Sequence, residues 1–274
     1  MQISEVEVEI IHKTKQVVNK YITNYKSTTS PTTTQPMAPS QPPTRSSLSL
    51  RGSAKTIAEF FEYSINSILY QRGIYPPDDF TIVKKYGLNL LVACDDGIKA
   101  YIRTILQQLN RWVVGDKVSR LVLAILARDT GDVVERWQFD IHVFDEASAH
   151  RVVNIPGDDG DEQQQQQQQQ RQGKENKREL TQEEIQRDIQ AIIRQITASV
   201  TFLPALETGD YTFNVLVYAD ADARVPSEWI DSDAKEISNA EKVKFRSFST
   251  NSHKVDTLVS YRYDNNSNNN NYNS

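Results

Sequence analysis

Cysteine is nearly absent from this 274-residue sequence: Cys94 stands alone, so no disulfide can form within the chain. A single thiol suits a reducing compartment, the cytoplasm or nucleus. Histidine is almost as sparse. His12, His142, His150 and His253 share no spacing that suits a metal, and Cys94 has no Cys-x-x-Cys partner, so the common zinc patterns are excluded. No apolar run approaches the roughly 20 residues of a membrane helix. The Glu-rich start, Met1–Ile11, lacks the apolar core of a secretory leader. Basic excess is missing too: 31 basic against 36 acidic residues leave a net charge of −5, with no dense basic cluster. Membrane insertion and nucleic-acid binding are therefore not expected.

Catalytic patterns are equally scarce. The sequence contains no GxGxxG, Walker A or GxSxG motif. Asp158-Asp159 and Asp161-Glu162 sit in a polar stretch and read as solubilising rather than as an acid/base pair. Cys94 precedes a helix start, where a dipole could activate a thiol. A buried, inert cysteine is the reading the residues favour. His142 reads as a solvated strand residue and His253 as a turn residue. No catalytic residue, cofactor or metal is expected, and the chain reads as a non-enzyme.

What is present is uneven. Hydrophobic residues make up 38% and charged residues 24%, which fits a globular body with polar segments attached. Residues 1–26 alternate apolar and charged positions and read as a short strand or helix. Five prolines between Ser27 and Ser47 favour an extended linker. Residues 1–48 are thus read as a disordered extension, with the domain over 49–262. Within it, residues 145–180 carry eight consecutive glutamines, Gln163 to Gln170, and read as a disordered loop. The Asn-rich tail, 263–274, reads as disordered.

Three helices and at least five strands are predicted. Ile57, Phe60, Phe61, Ile65, Ile68 and Leu69 line one helical face from Ser53, and Gly73 and Pro76-Pro77 stop it. Residues 80–93 read as irregular structure or short strands. A second helix starts near Gly97, with Asp95 or Asp96 as N-cap and Gly115 as stop. The apolar run 118–127 and the alternating run 133–144 flank a turn, Asp129-Thr130-Gly131-Asp132, and read as an antiparallel hairpin. Thr181 and Glu184 form a capping box for a third helix, whose stripe runs from Ile185 to Val200. Residues 211–218 are a strand. Runs 242–250 and 254–262 are strand-like but imperfectly alternating, so their register is weakly specified. The fold class is α+β, helices on one face of an antiparallel sheet.

Several collinear segments carry a resemblance. They are Leu50-Arg51-Gly52-Ser53-Ala54, Ile65-Asn66-Ser67-Ile68-Leu69-Tyr70-Gln71-Arg72-Gly73-Ile74-Tyr75-Pro76 and Lys85-Tyr86-Gly87-Leu88. Further along come Glu135-Arg136-Trp137-Gln138-Phe139-Asp140, Ile193-Arg194-Gln195-Ile196-Thr197-Ala198, Arg246-Ser247-Phe248 and His253-Lys254-Val255. Over about residues 49–262 the chain resembles the HORMA-domain family, most closely its mitotic-arrest-deficient spindle-checkpoint members.

The resemblance implies three helices on an antiparallel sheet with a mobile C-terminal safety belt, here about residues 219–262. In the family's closed form the belt wraps a partner peptide that adds to the sheet edge; in the open form the belt occupies that edge. Implied partners are the kinetochore coiled-coil checkpoint scaffold and the activator subunit of the anaphase-promoting complex, whose sequestration delays anaphase. Self-association, open with closed, is implied through the third helix. A remodelling AAA+ ATPase with its HORMA adaptor is a further implied partner. The implied location is nucleus, kinetochore and cytoplasm.

Residue by residue, Arg194, Gln195, Thr201, Phe202, Arg72 and Arg246 match dimer-interface positions, Trp112 a residue near the bound peptide, and Leu50 and Arg51 the leader that rearranges in the switch. Read alone, Arg194 is a solvated helix residue, Trp112 a core residue at a helix end, and Arg72 a base favoured near a helix C-terminus. Their functional roles rest on the resemblance. The N-terminal extension, polyglutamine loop and Asn-rich tail depart from the family pattern. The competing readings are another HORMA adaptor, such as a translesion-polymerase subunit or meiotic axis protein, and an enzyme using Cys94.

Overall fold

Helix α1 (Arg45–Gln71) is the centre around which the other elements assemble. Ala54, Ile57, Phe60, Phe61, Ile65, Ile68 and Leu69 are fully buried, each large side chain contributing about 1.5–3 kcal/mol of transfer free energy. Phe60 and Phe61 meet Phe139 of the sheet edge-on, at centroid distances of 5.8 and 5.3 Å. The computed structural model describes residues 5–10, 45–144, 179–206 and 211–262. The expected tail over 263–274 and all of the polyglutamine loop except Glu179 and Leu180 lie outside these residues.

Two further helices flank α1. Helix α2 (Asp96–Val114) is capped by Asp95, whose carboxylate accepts from the Ile98 amide at 2.9 Å, and is closed by Gly115. Helix α3 (Gln182–Ala198) opens on the expected Thr181/Glu184 capping box. Its isoleucine stripe is buried through Ile196, but Val200 is 45% exposed. The helix tightens there into a 3-10 turn, Ser199–Thr201, which turns Ser199 inward in its place.

Residues 80–93 form a regular hairpin, β2 (Phe80–Lys85) and β3 (Leu88–Ala93), joined by Tyr86-Gly87. Both loop residues have positive φ, 50° and 69°, the geometry of a tight primed turn. Tyrosine rarely adopts it. Here the Tyr86 hydroxyl donates to Glu59 Oε1 at 2.6 Å, and the ring packs on Tyr63. Burial and the Glu59 carboxylate push the Tyr86 phenol far above its usual range. Gln190 Nε2 donates to the Tyr86 carbonyl at 2.6 Å and lies 3.0 Å from where a Cβ on Gly87 would stand.

The main sheet is antiparallel in every pairing. β4 (Val118–Ala127) and β5 (Val133–Val143) form the expected hairpin, and β6 (Tyr211–Asp220) pairs on the far side of β4. The full order is β7-β1-β6-β4-β5-β10-β8, with β7 (Ile230–Asp231), β8 (Glu241–Lys244), β9 (Phe248–Ser249) on β10, and β10 (His253–Tyr261). β1 is Glu5–Ile10. This corrects the N-terminal border: residues 1–48 are not wholly outside the fold, since β1 joins the main sheet and α1 starts at Arg45. The alternation Glu-Val-Glu-Val-Glu-Ile has the period of a strand.

Candidate functional site at the sheet edges

The three central strands β6, β4 and β5 have two edges, and segments from opposite ends of the sequence cover them. β1 lies on β6, from Glu5 opposite Asp220 to Ile10 opposite Val215. β10 lies on β5, from His253 opposite Val143 to Tyr261 opposite Glu135. Between β7 and β8 the chain crosses the sheet face opposite the helices, forming a strap over residues 232–240.

β10 alternates from His253 to Val259, where His253, Val255, Thr257 and Val259 are buried, and breaks at Ser260, which is buried as well. Hydropathy hides this because two of the four inward positions are polar. His253 is correspondingly not a turn residue but the fully buried start of the strand. Its Nδ1 lies 2.6 Å from Ser53 Oγ, which is also 2.5 Å from Thr250 Oγ1. Burial pushes the imidazole down from its usual value, opposed by Asp116 and the Val113 carbonyl. Ser49 and Ser252 hydroxyls meet at 2.9 Å, and Asn251 Oδ1 accepts from the Leu180 amide. The β9–β10 turn is thus held by polar contacts from both α1 and the start of α3. Leu50, half-buried, and Arg51, exposed, stand between Ser49 and Ser53 in that stretch of α1.

The segment leaving β6 is anchored by tryptophan. Trp112, 3% exposed, donates from Nε1 to the Arg224 carbonyl at 3.2 Å and packs edge-on against Trp229 with centroids 5.1 Å apart. In this conformation Trp112 faces the segment between β6 and β7 rather than an open groove. Trp229, which the sequence reading passes over, is its partner; a lone aromatic in a polar stretch was the available signal.

The residues matched to a dimer interface divide into two groups. Arg194, Thr201, Phe202 and Arg246 are exposed, and Gln195 is half-buried with its Oε1 accepting from the Arg246 amide at 2.9 Å. The α3 spacing explains this: Ile192, Ile193 and Ile196 are fully buried and turn Arg194 outward. Arg72 is different. It is 7% exposed, its Nε 2.8 Å from Glu135 Oε2, and its Nη2 donates to the Pro204 carbonyl. In this conformation it is a buried support beneath the loop that follows Phe202. Burial raises the Glu135 carboxyl, against the opposing pull of Arg72 and a hydrogen bond from Trp137 Nε1. A cavity of about 80 Å³ adjoins this pair, lined in part by Pro204, Tyr211 and Tyr261.

Cys94 is exposed, not buried as the sequence reading favours, because the link from β3 to α2 runs over the surface; its Sγ lies 3.5 Å from the Asp78 carbonyl. His142 is the exposed strand residue expected, 3.2 Å from Asp256. Among the described residues no His, Cys, Asp and Glu cluster could hold a metal ion, and no helix is long and apolar enough to cross a membrane.

The model for the HORMA domain matches residues 53–253. The mitotic spindle checkpoint component MAD2 of Saccharomyces cerevisiae is 50% identical over 218 residues, 79% of this chain and 98% of its own length. The mitotic spindle checkpoint component mad2 of Schizosaccharomyces pombe is 48% identical over 220 residues, 80% of this chain and 97% of its own length. Among solved structures, a chain of the crystal structure of the mitotic checkpoint complex superposes with a TM-score of 0.61 at 44% identity, covering 77% of this chain and 99% of that one. With an edge-capped antiparallel sheet, three helices on one face and identity near one half over the whole domain, the chain belongs to the HORMA-domain family, in its Mad2 group.

Proposed function

We propose that this chain is a spindle assembly checkpoint switch that clamps partner peptides and helps to inhibit the anaphase-promoting complex by sequestering its activator. The observation that carries the proposal is a strand held on the β6 edge between β6 and β7, with the chain then crossing to β5, in a sequence about half identical to fungal Mad2 proteins. In the family's open form the belt occupies the edge that a peptide takes in the closed form. Here β1 is the strand added to the β6 edge, β7 lies across it and the chain then crosses to β5, so the arrangement reads as the closed conformer and residues 219–262 as the belt. A β6 edge cleared of β1 would offer an unpaired antiparallel template to an extended peptide.

The proposed partners are the kinetochore coiled-coil checkpoint scaffold and the activator subunit, with a second copy of this chain in the other conformer. A remodelling AAA+ ATPase with its HORMA adaptor would return the closed form to the open one. Sites of action are the nucleus, the kinetochore and the cytoplasm. The reading is of binding rather than catalysis.

The test is binding to synthetic peptides from the scaffold and from the activator, with dissociation rates recorded. Dissociation far slower than from a simple groove is expected, because a belt must open before the peptide leaves. A folded chain that binds neither peptide would turn the reading to another HORMA adaptor.

A further inference from the structure

The outer face of the sheet carries one buried cation, Arg136, whose contacts lie mostly outside its own strand. It is 1% exposed, on β5, pointing away from the helices. Nη1 donates to Gln138 Oε1 at 2.5 Å and Nη2 to the Tyr218 hydroxyl at 3.2 Å, which fixes the plane of the guanidinium. The remaining contacts go to the strap. Nε donates to the Ala234 carbonyl at 3.3 Å, and Nη2 lies 3.1 Å from Glu236 Oε1.

Between the two gripped residues stands Lys235, with a φ of 50°. A lysine in the left-handed region is held there by its surroundings and returns to ordinary conformations when released. Lys235 also pairs with Asp233 at 2.6 Å. Asn239, at the far end of the strap, has a φ of 55°. The strap is thus a kinked segment fastened on both sides of its kink by one side chain, and it leads directly into β8 and then β10. Only arginine supplies this fork. A lysine at 136 would reach fewer acceptors and could not hold the carbonyl and the carboxylate in one plane.

We propose that Arg136 is the positioning residue that fastens the strap across the outer face, so that its grip sets how readily β8 and β10 leave β5. The second half rests on the clamp reading above. Loosening Arg136 frees the strap, lets the kink at Lys235 relax, and removes the tether that keeps the belt over β5.

Tryptic cleavage after Lys235 in the full chain reads strap release without any partner, and fragment masses identify the bond cut. Arg136→Met and Arg136→Lys are expected to speed that cleavage roughly ten- to a hundredfold, with bonds in α2 and α3 as resistant as in the wild type. Capture of the activator peptide is expected to speed in parallel. Unchanged cleavage after Lys235 in a folded variant would overturn the proposal, as would faster cleavage with unaltered capture. If Arg136→Met unfolds, α2 and α3 are cut as well, and Glu236→Ala decides instead. That side chain is 58% exposed, so its loss spares the core. A few-fold rise confined to the strap supports the grip; no rise overturns it. A wild-type chain that captures no peptide sinks the clamp reading alone, while the cleavage pattern still decides what Arg136 holds.

Discussion

Thr257 is 2% exposed, and its hydroxyl has no hydrogen-bond partner among the described residues. An orphaned hydroxyl destabilises the state that buries it, and here that state is β10 docked on β5. Thr257→Val keeps the branched shape and removes the orphan. The docked conformer is expected to gain about 1–2 kcal/mol, seen as a higher melting temperature, and peptide capture is expected to slow. A lower melting temperature with faster capture would show that the hydroxyl finds a partner. His253, two pairs along the same face, carries a pH dependence. Its pKa is depressed in the folded state, so the neutral imidazole is favoured there. Its contribution is present above the ordinary histidine value near 6.5 and is lost as pH falls below it. Asp116 and the Val113 carbonyl, which face the ring, narrow the shift without reversing it. Chemical denaturation from pH 7.5 downward is expected to show this loss in the wild type and a shallower one in His253→Gln. Parallel curves would assign the acid sensitivity to other groups.

Among the elements, legibility followed the spacing of apolar residues. α1, α2 and α3 announce themselves because isoleucines, leucines and aromatics recur every three or four positions, and the caps Asp95 and Thr181 mark where two of them begin. β4 and β5 are equally plain, one a continuous apolar run and the other an alternation around Trp137 and Phe139. The β2–β3 hairpin is not plain, because its turn is Tyr86-Gly87 and tyrosine is no turn residue. β10 escapes because histidine and threonine occupy inward positions, which periodicity counts as polar. Those two polar positions also make β10 easier to lift from its edge than an all-apolar strand, since each buried aliphatic side chain would add about 1.5–3 kcal/mol. Truncation after Phe248 removes β10 and leaves β8 without its pairing partner. The truncated chain is expected to lose slow peptide dissociation while α1–α3 keep their helicity by circular dichroism. Slow dissociation that survives truncation would contradict a belt.

The arrangement of the whole molecule was the least legible, because it rests on pairings between distant parts of the chain. Nothing near Glu5 says that its partner is Asp220, and nothing near His142 says that Lys254 lies opposite. Motif resemblance supplied the fold there, and it located the exposed patch of Arg194, Thr201, Phe202 and Arg246. It did not foresee the burial of Arg72, whose partner Glu135 sits on a strand that the local sequence does not connect to it. Since Arg194 is exposed and Gln195 touches only the Arg246 amide among the described contacts, Arg194→Glu with Gln195→Ala is expected to abolish self-association and leave the melting temperature nearly unchanged. Sedimentation velocity checks the first and a thermal melt the second. A large loss of stability would mean that the patch belongs to the fold rather than to an interface.

The central claim is that the belt must open, with β10 leaving β5, before a peptide can enter, and a reversible lock tests it most directly. Leu258 and Gln138 are register partners on the outer face, and Cys94 is the only native cysteine. In a Cys94→Ser background, Leu258→Cys with Gln138→Cys would tie the two strands together when oxidised. The oxidised chain is expected to capture no activator peptide, and reduction is expected to restore capture at the rate of the same double-cysteine variant kept reduced throughout. Capture by the oxidised chain at that same rate would contradict the switch.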